Sequence, residues 1–174
     1  AADMLFYDLE GTWQYGKQAG ADVNGLSLDT ILGVNLMDRH SVAFSFAYAN
    51  DEYQNLFGNA HDYLGATDLI GRNNLMAMGL SAKLGLTDSI SAGVAGHYFM
   101  KAKTSSGHTT RDAAVAASSK RALGMEADLM LSYRAEEALT FDFGYAFFKP
   151  AGSLKDAGAD KVMSDIYVQG TLKF

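Results

Sequence analysis

Glu126 and Asp128 stand two residues apart, so on an extended chain both carboxylates point the same way, and a carboxylate pair can do acid–base work when its two members titrate apart. By the same parity Lys83, Lys101 and Arg134 share that face, and pairing with those bases is the simpler role for the two acids. A lipid hydrolase built on strands needs a histidine and a serine two apart with an acid nearby. His40 and Ser41 are adjacent and therefore point to opposite faces; His97 could meet Ser91 or Ser132 only across strands. His40, His61, His97 and His108 show no HExxH and no paired ligand spacing, so structural or loop roles are expected and no metal site. The chain has no cysteine, which rules out disulfides, thiolate metal sites and cysteine nucleophiles. No catalytic set stands out, and neither an enzyme nor a cofactor is expected. A net charge of -6 with a pI near 5.0 argues against nucleic acid as a partner, since phosphates demand a basic surface.

Two-residue alternation organises these side chains. It predicts about eight strands: Met4 to Gly16, Val23 to Leu36, His40 to Asn50, Leu75 to Leu86, Ile90 to Lys103, Leu123 to Arg134, Leu139 to Lys149 and Met163 to Phe174. The seventh is the clearest, with Leu139, Phe141, Phe143, Tyr145 and Phe147 against Thr140, Asp142, Gly144 and Ala146. Hydrophobic residues reach 48% while mean hydropathy is only -0.04, and no run approaches the ~20 apolar residues of a membrane helix. Apolar side chains spread thinly by alternation are what a closed sheet in lipid requires, because such a sheet satisfies every backbone polar group internally. The lone proline, Pro150, lies at a strand end, where it leaves the ladders intact.

One face of these strands is Leu, Phe, Tyr, Val, Ile and Met almost without interruption, with Trp13, Tyr15, Tyr48, Tyr98, Tyr133 and Phe147 near strand ends, the depth that suits amphipathic rings at a membrane interface. The other face receives Asp8 and Glu10 from the first strand, Asp29 from the second, Lys83 from the fourth, and His97 with Lys101 from the fifth. Glu126, Asp128 and Arg134 follow from the sixth, Asp142 from the seventh, and Asp165 with Lys173 from the last, among many Gly, Ala, Ser and Thr. Charges of both signs on an enclosed face must pair or be hydrated, so these residues read either as a salt-bridged filling or as the lining of a lumen.

Connections alternate in length. Met37-Asp38-Arg39, Thr87-Asp88-Ser89 and Ala135-Glu136-Glu137-Ala138 are tight; Lys17 to Asp22, Asp51 to Asn74, Thr104 to Arg121 and Ala151 to Val162 are longer. The expected fold is all-β: residues 1–174 as a single antiparallel transmembrane β-barrel domain of about eight strands, with short periplasmic turns and long extracellular loops. The expected location is a bacterial outer membrane with both termini periplasmic, Ala1-Ala2-Asp3 reading as the start of a processed chain. Ile166, Val168, Leu172 and Phe174 carry the apolar face to the carboxy terminus and form the expected assembly signal for the barrel-assembly machinery. The loop Thr104 to Arg121 has a basic cast from His108, Arg111, Lys120 and Arg121, suited to lipopolysaccharide phosphates or merely solvated. In the loop Asp51 to Asn74, Tyr53, Leu56, Phe57, Tyr63 and Leu64 predict a segment that packs over the barrel mouth or into its lumen.

With these motifs placed, the chain resembles the carboxy-terminal half of the alginate-export family of outer-membrane channels. The resemblance is carried by Tyr7-Asp8-Leu9-Glu10 through Tyr15-Gly16-Lys17-Gln18, Asn55-Leu56-Phe57 through His61-Asp62-Tyr63, Thr67-Asp68-Leu69-Ile70-Gly71-Arg72-Asn73-Asn74-Leu75, Gly124-Met125-Glu126-Ala127-Asp128-Leu129 with Ser132-Tyr133, Gly144-Tyr145, and the final strand. It implies a passive conduit of the porin or polysaccharide-export type, an anionic polysaccharide as cargo, and charged lumenal residues that guide it. The alternative is a sealed eight-stranded barrel with a structural, adhesive or lipid-contacting role through its outer loops.

Overall fold

A computed structural model describes residues 4–18, 20–37, 39–55, 64–112 and 114–174. Leu56, Phe57, His61 and Tyr63 lie outside the described residues. Eight long strands form one antiparallel sheet in which every neighbour in space is the next long strand in sequence. They are β1 (Leu5–Gln18), β2 (Ala21–Leu36), β3 (His40–Ala49), β4 (Leu75–Gly85), β5 (Ile90–Lys101), β8 (Ala122–Arg134), β9 (Leu139–Pro150) and β10 (Met163–Leu172). Between β5 and β8 the chain adds a small ribbon, β6 (His108–Thr109) with β7 (Ala114–Val115), and between β9 and β10 one helical turn, α1 (Gly152–Asp156). No helix among the described residues is long and apolar enough to cross a membrane.

Alternation decides both faces. Outward residues such as Leu5, Leu9, Leu80, Leu129, Ile166 and Val168 are exposed, whereas Ser27, Asp29, Ala47, Ala77, Glu126, Asp128 and Ala146 on the opposite face are buried. Ile166, Val168, Leu172 and Phe174 all project outward and exposed. The sheet is strongly curled, since Ser41 of β3, Ser91 of β5 and Gln169 of β10 line one cavity on its concave side. Its hydrogen-bonded ladder runs from β1 to β10, which are its two edges.

One connection departs from expectation. Lys17 to Asp22 is no long loop: β1 and β2 stay paired to Gln18↔Ala21, and Gly20, at φ +86, takes the left-handed conformation that a turn this tight requires. The alternation Trp13, Tyr15 against Gln14, Gly16 continues through this stretch and is matched residue for residue by β2, so nothing ends the ladder earlier. The resulting hairpin stands clear of β3, whose pairing with β2 begins at Ser27, and is braced by the chain beyond β3: Gln54 N–H donates to Gln14 Oε1 at 2.9 Å and Asn24 N–H to Glu52 Oε2 at 2.7 Å. The end that carries the other loops therefore has three long connections and one tight turn.

Those three connections build the core. Leu64, Leu69 and Ile70, Val115 of β7 and Leu154 of α1 pack against inward Ala47, Leu75, Ala77, Phe99 and Phe148. A β-bulge supplies one more member: Phe99 pairs with Gly124 and Met100 with Ala122, leaving Leu123 as an extra residue, fully buried in this cluster.

Candidate functional site

The concave side of the sheet has two halves. In the long-loop half, the segment 64–74 folds inward and is held by charges that the strands present. Glu126 accepts from Thr67 twice, from the backbone N–H at 2.8 Å and from Oγ1 at 2.5 Å. The approach is so close that a Cβ on Gly65 would lie 2.4 Å from Glu126 Oε1, and Gly65 also sits at φ +83, so only glycine fits. Arg72 Nη2 donates to Asp29 Oδ1 at 2.9 Å, with the two side chains 7% and 3% exposed; Ser27 Oγ lies 3.4 Å from the other carboxylate oxygen. A guanidinium and a carboxylate buried together compensate each other's lost hydration only in such direct contact. Arg111, from the loop between β6 and β7, completes the clamp by donating from Nη1 to Thr67 O at 2.9 Å.

A second tie joins the inward segment to the loop after β5. Asn74, fully buried with φ 50, donates from Nδ2 to Lys103, Ser106 and Gly107 carbonyls at 2.9, 3.0 and 2.9 Å and accepts from Lys103 N–H at 2.7 Å. His108 Nδ1 lies 2.8 Å from Asn73 O, the carbonyl accepting, and burial holds the imidazole pKa down to about 4. Hydrogen bonds from Lys103 and Ser106 keep the Asp51 carboxyl below its ordinary range. Lys101 is fully buried and donates to the Ser118 and Thr104 carbonyls at 3.2 and 3.4 Å, so it secures this loop from within.

The short-turn half is hollow. Next to the inward segment lies a chamber of about 900 Å³ with His97, Arg111, Asp128, Asp165, Tyr167 and Gln169 in its wall. Beyond it a cavity of about 360 Å³ holds Lys83 and Asp142, and a third, of about 690 Å³, opens among the tight turns with Arg39, His40, Lys83 and Arg134 around it. Lys83 and Arg134 are exposed there, and Arg39 is engaged by Asp88 across two turns. The mouth is thus basic and the chamber acidic.

The residues expected from alternation sort accordingly. Asp29, Glu126 and Lys101 bind the inward loops; His97 Nε2 and Asp128 Oδ2 face each other at 3.4 Å in the chamber wall, with Asp165 nearby. Lys83, Asp142 and Arg134 belong to the open half. Asp8 and Glu10 are exposed on edge strand β1, and Lys173, exposed beyond β10, donates its backbone N–H to Ala138 O at 2.9 Å. Sequence reasoning gave no inward role to Thr67 and Arg72 and read Arg111 only as part of a basic outer loop, since all three sit on loops without periodicity; it also left out inward Phe99, Phe148 and Tyr167, which alternation places correctly once an apolar lining is allowed.

No curated protein matches this sequence. A family model described as alginate export matches residues 1–169, nearly the whole chain, and with the curled, outwardly apolar sheet and its charged concave side already in view, the chain belongs to the alginate export family.

Proposed function

We propose that this chain is the wall of a transmembrane barrel in a Gram-negative outer membrane, a passive conduit for a saccharide or small solute and not an enzyme. The observation that carries the reading is the inverted partition of side chains: Leu5, Leu9, Leu80, Leu129, Ile166 and Val168 are exposed on the convex face while Asp29, Glu126 and Asp128 are buried on the concave one. Water would drive the opposite arrangement, and lipid stabilises this one. In lipid the unpaired edges of β1 and β10 would cost several kcal/mol per exposed polar group, so the ring is closed in the membrane. Long loops face outward toward lipopolysaccharide, tight turns and both termini face the periplasm, and the outward-facing last strand is read by the barrel-assembly machinery. Membership of the alginate export family supports outer-membrane polysaccharide export, with an anionic polymer as the family's cargo.

Planar-bilayer recording tests this. Discrete ion currents from the folded chain are expected. A second reading is favoured by the inward segment 64–74, which fills the long-loop half: a sealed barrel acting structurally, adhesively or on lipid through its loops. A chain that inserts and folds yet passes no discrete current decides for that reading.

A further inference from the structure

The long-loop rim of the sheet is charged differently on its two sides. Over β1, β2 and the chain beyond β3, residues 14–26 and 50–55 hold one cation against three acids, and that cation, Lys17, lies 3.7 Å from Asp22. Over β8, β9 and β10, residues 116–121 and 149–162 hold five cations against two acids, and one of those acids, Asp156, is engaged by Lys120 at 2.6 Å. Arg121, Lys149, Lys155 and Lys161 remain, all exposed. Arg121 directly precedes β8, Lys149 stands at the end of β9 and Lys161 just before β10, so three neighbouring strands each end beside a cation. An excess of one sign on one sector draws the opposite charge to that sector.

Two of these cations belong to the apolar side of the sheet and not to the lumen. Lys149 continues the outward row Leu139, Phe141, Phe143, Tyr145 and Phe147 and pairs in register with exposed Met125 of β8. Arg121 Nη2 lies 3.5 Å from the sulfur of Met76, which shares the parity of outward Met78 and Leu80 on β4. Its Nε donates to Lys101 O and its Nη2 to Ala102 O, each at 3.0 Å, which fixes the guanidinium at the end of β5 and leaves both Nη1 N–H groups without a partner among the described residues. Depth agrees with this placement. At ~3.3 Å per residue and a tilt of ~40°, the strand climbs about 25 Å from Leu139 to Lys149, the height of the apolar band of an outer-membrane barrel. The cations thus reach headgroup level, with exposed Met125, Tyr145 and Phe147 on the wall below them.

We propose that this sector of the convex rim binds a phosphorylated glycolipid of the outer leaflet, the lipid A part of lipopolysaccharide, with Arg121 and Lys149 on its phosphates, Lys161 adding charge, and its acyl chains along Met125, Tyr145 and Phe147. A guanidinium fork matches phosphate oxygens, and the two strand spacings from the end of β5 to β9, roughly 10 Å, separate Arg121 from Lys149 as a headgroup with two phosphates requires. The inference rests on the outer-membrane reading, because it takes the convex face to meet lipid, and it narrows the lipopolysaccharide contact from the loops at large to one sector.

Native mass spectrometry of the full chain folded in detergent tests it with four probes: lipid A bearing two phosphates, the same lipid with its phosphates removed, phosphatidylglycerol, and inorganic pyrophosphate. Lipid A is expected to stay bound, about fivefold more weakly in Lys149→Gln and more weakly still when Arg121→Gln is added, while Lys17→Gln on the other side of the rim leaves affinity unchanged. The heat-dependent gel shift of the folded band verifies folding, and Lys149→Gln, at an exposed position, decides the matter by itself where loss of Arg121 disturbs the loop after β5. Dephosphorylated lipid, phosphatidylglycerol or pyrophosphate binding as tightly as lipid A, an equal loss in Lys17→Gln, or unchanged affinity in Lys149→Gln would each overturn the proposal. Insertion into phosphatidylcholine vesicles keeps the two readings apart: a chain that inserts yet shows no preference for lipid A sinks this inference alone, and a chain that does not insert sinks the outer-membrane reading.

Discussion

The two ends of the sheet are made of the same alternating strands, yet the long-loop end is filled on its concave side by an apolar core and the short-turn end is hollow. The difference lies in what the connections bring back. Three long connections return Leu64, Leu69, Ile70, Val115 and Leu154 to meet inward Leu75, Phe99 and Phe148, together with Arg72 and Thr67 to meet Asp29 and Glu126. The tight turns are too short to fold inward, so Lys83 lines two cavities there, one with Arg134 and one with Asp142. An inward charge thus has a structural role where a loop can reach it and lines a cavity where none can.

Breaking the packed end should give the largest effect. Arg72→Ala leaves the Asp29 carboxylate buried and unpaired, and a loss of about 3–5 kcal/mol in urea unfolding of the folded chain is expected. The double variant Asp29→Asn with Arg72→Met should be less damaging than the single one; equal losses would show that the ion pair does not couple the loop to β2.

Acid should loosen the same end through His108. Above its ordinary pKa of 6.5 the imidazole is neutral whether folded or unfolded, and its contribution is complete. As pH falls from 6.5 to about 4 the unfolded chain takes up a proton that the buried ring refuses, so stability declines, by on the order of 3 kcal/mol in all, and levels off below that. Asp51, whose carboxyl is held low, adds a loss in the same direction below its ordinary pKa of 3.8. Hydrogen exchange in residues 102–112 and 114–118 should quicken across the first window, and His108→Asn should remove that dependence.

A smaller effect is expected from Thr67→Val, which deletes the hydroxyl donor to Glu126 while keeping the backbone one: about 1–3 kcal/mol, with faster exchange confined to 64–74. Changes at the hollow end should hardly touch stability. Lys83→Glu with Arg134→Glu is expected to stay within about 0.5 kcal/mol while moving the reversal potential toward cation selectivity in planar bilayers. An unmoved potential would take both residues out of the ion path. Lys101 belongs to the opposite class despite its identical parity: its ammonium serves the Ser118 and Thr104 carbonyls, so Lys101→Glu should unfold the loop before it alters selectivity.

The strands were legible because their signal is local. A two-residue period survives in sequence wherever one face meets apolar and the other polar surroundings, which is why the eight long strands lie close to where alternation puts them. The β1–β2 turn was misread because Lys17, Gln18 and Asp22 look like loop composition, while the ladder that runs through them depends on both strands at once. β6, β7 and α1 are too short to carry a period of their own.

By itself, then, the sequence determined which side chains share a face, which face is apolar, and that the charges lie on the other, since each of these follows from neighbours two residues away. Only the tertiary structure decided which charges are sealed and which are free. Asp29 and Arg72 are 43 residues apart, Thr67 and Glu126 are 59, and nothing between them in the chain encodes their meeting. The direction a long connection takes is set by the apolar surface and the unpaired carboxylates waiting inside the curl, and those exist only once the sheet has formed.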